Sequence, residues 1–173
     1  TLCAVALSLG LRQGEALALR WRDVDLEGGR LRVRYALQRY PSIAEGANRC
    51  AEIHLVEPKT KKGRRTIDLP QVTLSAQRRF AGSRWTAPVV HCEGHVESVD
   101  DFVFTTGIGT PLEGRNVTKR FQAILRDLGI PRHRFHDLRH TAATLLAVQG
   151  VHPKAIQSIL GWDQVAMVDR YAH

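Results

Sequence analysis

His136, Arg139 and His140 stand in the run Phe135-His136-Asp137-Leu138-Arg139-His140. Positions i, i+3 and i+4 share one side of a helix, so an imidazole and a guanidinium can meet one target together. In a first helical turn they are joined by unpaired backbone N–H groups and the helix dipole, which favour an anion. A planar guanidinium suits a phosphate in particular. The same residues also fit the solvated edge of any amphipathic helix, and spacing alone leaves both open. Arg12, in Gly10-Leu11-Arg12-Gln13-Gly14-Glu15, precedes another helix. There it could reach an oxyanion, or pair on the surface with Glu15 for about 0–1 kcal/mol. Lys59 opens the basic run Lys59-Thr60-Lys61-Lys62-Gly63-Arg64-Arg65. Such a run is either a solvated hairpin or a finger laid along a phosphate backbone. Tyr171 follows Trp162 near the end. A phenol attacks phosphorus only when its proton is accepted and the phosphate is clamped by cations. Spacing does not single this tyrosine out.

The overall charge bears on these choices. Lys and Arg number 25 against 17 Asp and Glu, a net charge of +8. That excess attracts polyanions, so nucleic acid is the first partner to consider, and the basic run is expected to follow a phosphate backbone. No apolar stretch approaches the roughly 20 residues of a spanning helix, so no membrane partner is expected. Cys3, Cys50 and Cys92 are few, scattered and odd in number, which fits a reduced, cytoplasmic setting better than a disulfide framework. His91, Cys92 and His95 lack a fourth nearby ligand and are expected to be loop residues. No acidic cluster for Mg²⁺ and no Gly-x-x-x-x-Gly-Lys loop is evident. Neither a metal ion nor a cofactor is therefore expected.

The elements that must position these residues follow from periodicity and breakers. At 173 residues, 43% of them hydrophobic, the chain is expected to form one domain. Leu2 to Leu9 reads as a helix already begun without an initiator Met, so a piece of a longer protein is expected. A helix is predicted over 13–21, then strands over 31–35, 52–56 and 65–69 with a basic turn at 59–63. Together they suggest a small antiparallel sheet with a basic hairpin. A helix is expected over 72–80. Segments 41–49 and 82–101 are irregular and receive no role. Phe102 to Phe104 reads as a short buried strand. A helix over 116–128 carries the stripe Val117, Phe121, Ile124 and Leu125 and is closed by Gly129. The next, over 136–149, carries Leu138, Ala142, Leu145 and Leu146. Pro153 opens a further helix that Gly161 ends, and a last one runs over 163–171. The expected class is α+β, mostly α.

Four strings, in order, resemble motifs of the tyrosine recombinase (phage integrase) family. They are Gly10 to Leu17 followed by Leu19 to Asp25, Lys59-Thr60-Lys61 with Arg65 to Pro70, Phe135 to Ala143, and Leu160-Gly161-Trp162 with Asp169 to His173. The resemblance implies a helical catalytic domain over 1–173 that breaks and rejoins double-stranded DNA. Tyr171 would be the nucleophile that forms a 3′-phosphotyrosyl link, without metal or ATP. Arg12 and Arg139 would clamp the non-bridging oxygens, and Lys59 would protonate the departing 5′ oxygen. His136 would help with the tyrosine proton. Trp162 stands where many members have His; its indole donates one hydrogen bond but cannot shuttle a proton. Glu15 would support the site, while Lys61, Lys62, Arg64 and Arg65 would track the DNA backbone. The resemblance also implies a synaptic tetramer of the full-length protein on DNA, in the nucleoid. The family's N-terminal DNA-binding domain and C-terminal tail are expected to lie outside this sequence, leaving the isolated piece weakly active. Two other functions remain open at this point: type IB topoisomerase-like relaxation, and a non-catalytic DNA-binding regulator. In space, Arg12, His136, Arg139 and Trp162 are expected to converge, with Tyr171 displaced from them.

Overall fold

Val5, Ala6 and Leu9 face inward from helix α1 (Leu2–Leu9), which stops at Gly10 in the left-handed conformation. The chain re-enters a helix almost at once. Arg12 is extended, and its backbone N–H donates to the Glu15 carboxylate at 3.0 Å, which starts α2 (Gln13–Leu17). The computed structural model describes residues 1–40, 52–58, 61–70, 102–107, 109–164, 166–169 and 171. The expected helix over 72–80, segments 41–49 and 82–101, Lys59, Cys50, and the group His91, Cys92 and His95 lie outside them.

Helix α2 is shorter than its pattern suggests. It ends at Leu17, and the apolar run to Trp21 continues as an extended link with one bridge from Arg20 to Phe102, then a 3₁₀ turn, Trp21–Asp23. Three strands follow in one antiparallel sheet of order β1-β2-β5: β1 (Val24–Asp25), β2 (Arg30–Val33) and β5 (Arg65–Asp68). Leu31 pairs with Ile67 and Val33 with Arg65. Leu31, Val33 and Ile67 turn into the core while Arg30 and Arg32 face out, the alternation of a half-buried sheet.

The strand over 52–56 belongs elsewhere. β4 (Glu52–Val56) pairs antiparallel with β3 (Ala36–Tyr40) in a separate two-stranded sheet. The sequence Ala-Leu-Gln-Arg-Tyr lacks strict alternation, which is why β3 goes unseen in the pattern. Phe102 to Phe104 are buried as expected, yet Phe102 makes only the isolated bridge to Arg20, and Val103 and Phe104 are bends rather than a strand. Val103 N–H meets the Leu19 carbonyl at 2.8 Å, so the segment is fixed by burial and single bonds, not by a ladder.

The remaining helices are α3 (Gly114–Asp127), α4 (Asp137–Val148), α5 (Pro153–Leu160) and the single turn α6 (Ala166–Asp169). Val117, Phe121 and Leu125 form the inner stripe of α3; Ile124 lies at its margin, 38% exposed. The last helix is far shorter than 163–171. The main core joins α1, α2, β2, β5, Val103, Phe104, the α3 stripe and Phe135. A smaller core gathers Ala143, Ile156, Leu160, Trp162 and Val168, with Tyr171 packed against it. The architecture is α+β with helices dominant. Among the described residues no helix is long and apolar enough to cross a membrane.

Candidate active site

The two cores meet at Arg139. Periodicity placed Leu138, Ala142, Leu145 and Leu146 on the inner face of α4. Ala142 is buried as expected and Leu138 and Leu146 pack partly buried against the cores, but Arg139 and Ala143 are buried with them and Leu145 is left 49% exposed. Arg139 is 1% exposed, and two of its five N–H donors are spent on backbone carbonyls. Nη1 donates to the Gly10 carbonyl at 2.7 Å, and Nη2 donates to the Leu160 carbonyl. Both acceptors lie at helix C-termini, where carbonyls lack helical partners and the dipole is negative. Close approach requires the glycines that end these helices. A Cβ on Gly10 would lie 2.1 Å from Leu160 Cδ2, and one on Gly161 2.7 Å from the Lys62 carbonyl. Burial and the neighbouring Arg12 charge push the Arg139 pKa down to about 9, with Glu15 opposing them. It remains charged at pH 7.

Glu15 balances this charge. Its side chain is 3% exposed and accepts from Arg12 Nη1 at 2.7 Å, Arg65 Nη2 at 3.0 Å and Arg65 Nη1 at 3.2 Å. Arg139 Nη1 is 3.9 Å away. Burial works to raise the Glu15 carboxyl, but the hydrogen bond and charge of Arg65, with Arg12, hold it below the usual range. One carboxylate thus faces three guanidiniums, and the site keeps a positive excess. Arg12 carries that excess outward, since 44% of its side chain is exposed.

The basic run divides. The Arg65 side chain is only 5% exposed, and its Nε donates to the Ile159 carbonyl at 2.6 Å. It points inward, unlike the backbone-tracking cation the run suggested, because β5 pairing aims it at Glu15. Lys62 donates to the Asp163 carbonyl at 2.7 Å, and exposed Arg64 pairs with Glu57. Lys61 begins the 3₁₀ turn Lys61–Gly63. This turn therefore lies against the segment carrying Trp162.

An aromatic shelf completes the site. Trp162 is 5% exposed, and the Arg139 guanidinium carbon lies 5.6 Å from its ring centroid. Tyr171 stacks on Trp162 with centroids 5.6 Å apart and an angle of 15°. Its hydroxyl is hydrogen-bonded to His140 Nδ1, and the His140 ring stacks at 6.0 Å. Tyr171 is thus seated at the site, where displacement was expected. His136 meets His140 edge-on at 5.0 Å. Partial burial, then the charges of His140, Arg139 and Arg12, lower the His136 pKa, so its imidazole is neutral at pH 7. His140 was placed with His136 and Arg139 on one helix side by its i+4 spacing, but the family resemblance gave it no role in the site. Among the described residues no group of His, Cys, Asp and Glu could hold a metal ion. Guanidiniums beside a phenol whose hydroxyl faces an imidazole form an inventory suited to attack on a phosphate ester.

Comparisons with known proteins place the chain in a family. The model of the Phage integrase family matches residues 1–173. The tyrosine recombinase XerC-like protein of Caldanaerobacter subterraneus subsp. tengcongensis is 32% identical over 171 residues, 98% of this chain and 44% of that protein. An integrase of Saccharopolyspora erythraea is 30% identical, covering 98% of this chain and 48% of that one. The chain thus spans less than half the length of these two relatives. Among solved structures, the Tn1549 transposon integrase in complex with circular intermediate DNA superposes with a TM-score of 0.81 at 26% identity. That match covers 99% of this chain and 54% of the integrase. XerA recombinase shares the fold with a TM-score of 0.71 at 21% identity, over 99% of this chain and 52% of that one. The arginine and aromatic clusters, the matched length and these relatives lead to one conclusion: the chain belongs to the phage integrase family of tyrosine recombinases.

Proposed function

We propose that this chain is the catalytic domain of a site-specific DNA recombinase that cuts and rejoins double-stranded DNA through Tyr171. The observation that carries the proposal is the seating of the Tyr171 hydroxyl beside the Arg139 and Trp162 shelf. A scissile phosphate placed there has its non-bridging oxygens clamped by Arg12 and by the remaining Arg139 N–H groups. Charge builds on those oxygens in the transition state, so fixed cations stabilise it more than the ground state. Trp162 contributes its indole N–H, and neutral His136 lines the same side. Tyr171 attacks phosphorus to leave a 3′-phosphotyrosyl link, and Lys59 protonates the departing 5′ oxygen. The covalent link preserves the phosphodiester energy, so rejoining needs no ATP, and the guanidiniums serve where other enzymes use metal ions.

Glu15 and Arg65 act behind these residues by fixing Arg12. Lys61, Lys62 and Arg64 follow the DNA backbone beside the cut, and four such domains assemble on paired sites in the complete protein. The Tn1549 integrase bound to its circular intermediate supports duplex DNA as the partner. The test is incubation with a nicked suicide duplex in EDTA. A denaturation-resistant protein–DNA adduct that Tyr171→Phe abolishes is expected. An adduct that requires Mg²⁺, or that survives the substitution, overturns the proposal.

A further inference from the structure

Tyr171 needs a partner that takes its proton, and four side chains of the site are candidates for that role. Trp162 stacks its face on the phenol, and an indole has a donor but no acceptor nitrogen. Arg139 is protonated at pH 7 and then has no lone pair to offer. His136, the partner suggested by family resemblance, meets the edge of His140, while the Tyr171 hydroxyl is hydrogen-bonded to His140 Nδ1. His140 is half-buried and stacked along Tyr171, so its Nδ1 is held on the phenolic oxygen rather than passing it in solvent.

We propose that His140 is a catalytic residue of this site: its Nδ1 orients the Tyr171 hydroxyl and accepts its proton as the tyrosine attacks. This rests on the recombinase function proposed above. In the step, the Tyr171 O–H bond breaks and the proton passes to Nδ1. The freed electron pair forms the O–P bond while the P–O5′ bond breaks. Its electron pair leaves on O5′, which takes a proton from Lys59. On rejoining, the 5′ hydroxyl gives its proton back to Lys59 and attacks phosphorus, the phosphotyrosyl P–O bond breaks, and the tyrosine oxygen recovers its proton from His140. His136, edge-on to the imidazole, positions the His140 ring. This division also accounts for a site that functions with Trp162 in place of a second proton carrier.

Two measurements test it. In the DNA-free chain, ¹⁵N NMR of the His140 ring is expected to show an Nδ1 shift in Tyr171→Phe, with the other histidine rings nearly unmoved. An unchanged Nδ1 overturns the contact on which the proposal stands. On the suicide duplex, His140→Ala and His140→Asn are both expected to slow single-turnover adduct formation about 100-fold while DNA affinity is kept. Asn supplies an acceptor oxygen for the phenol but cannot carry its proton. Added imidazole is expected to restore the Ala variant about tenfold and leave His136→Ala unimproved. A His140→Asn variant as fast as wild type, or an Ala variant that binds DNA normally yet ignores imidazole, overturns the role of His140. A wild-type chain that forms no adduct overturns the recombinase function itself, and this proposal with it.

Discussion

Around Glu15, the charged side chains of Arg12, Glu15, Arg65 and Arg139, from three segments of the chain, are tied by buried and part-buried bonds; around Tyr171, a phenol rests between two ring faces on a single hydrogen bond. The first region is anchored in the main core, through α1, α2 and β5. The second belongs to the small core, and Tyr171, the proposed nucleophile, follows a helix of one turn whose inward anchor is Val168. The contrast separates two demands. Cations that stabilise charge act best when they need no reorganisation. A nucleophile that must advance on phosphorus is better held by contacts that cost little to break.

The first prediction attacks the rigid half. Glu15→Ala removes the one carboxylate among three guanidiniums and leaves the 5% exposed Arg65 side chain as an uncompensated buried charge. Removing one partner of such a pair typically costs about 3–5 kcal/mol, which a urea midpoint should report. A loss below about 1 kcal/mol would mean that Glu15 is not the keystone of the cluster. Acid should act on the same bond. The folded Glu15 carboxyl lies below its unfolded pKa, so the unfolded state binds the extra proton. Its contribution is full above about pH 4.3 and is lost as pH falls through the folded pKa. Glu15→Gln should flatten that part of the stability profile. The His136 shift has the same sign, with its contribution complete above about pH 6.5 and lost at lower pH.

The soft half should respond far less. Tyr171→Phe removes one partly exposed hydrogen bond and keeps both stacks, so stability should fall by only about 0.5–1.5 kcal/mol. A larger loss would show that Tyr171 is structural cement as much as nucleophile. The smallest effect is expected at Arg64, whose ion pair with Glu57 is exposed on both sides. Arg64→Ala should change stability by about 0–1 kcal/mol. It should weaken DNA binding more at low salt than at high salt, as loss of a phosphate contact does.

The same contrast explains what could be read from residues alone. Helices α3 and α5 follow their periodicity and their glycine stops. Alternation marks β2 and β5 as strands but not their pairing, since the basic turn suggested a hairpin joining 52–56 to 65–69 while β4 pairs with β3 and β5 with β2. The burial of Arg139 could not be read. Its compensating acceptors are the Gly10 carbonyl, 129 residues away, and the Leu160 carbonyl, 21 residues away. Helical spacing marks a face but does not say whether leucines or an arginine own it, and here Leu145 was left outside. Arg65 illustrates the same limit, because a basic run gives no sign of which cation β5 aims at Glu15. The β3 strand escaped because its partly buried residues, Ala36 and Leu37, are adjacent rather than alternating. His140 was visible at its i+4 position, but its contact with Tyr171 spans 31 residues and two elements.

The central claim is that the aromatic shelf presents Tyr171 as the nucleophile. The most direct measurement is to trap the adduct on a suicide duplex in EDTA, digest it, and locate the attached nucleotide by mass spectrometry. The account predicts a 3′-phosphate ester on the peptide containing Tyr171 and no modified peptide in Tyr171→Phe. A nucleotide found on another side chain, or a cut strand with no attached peptide, would contradict it.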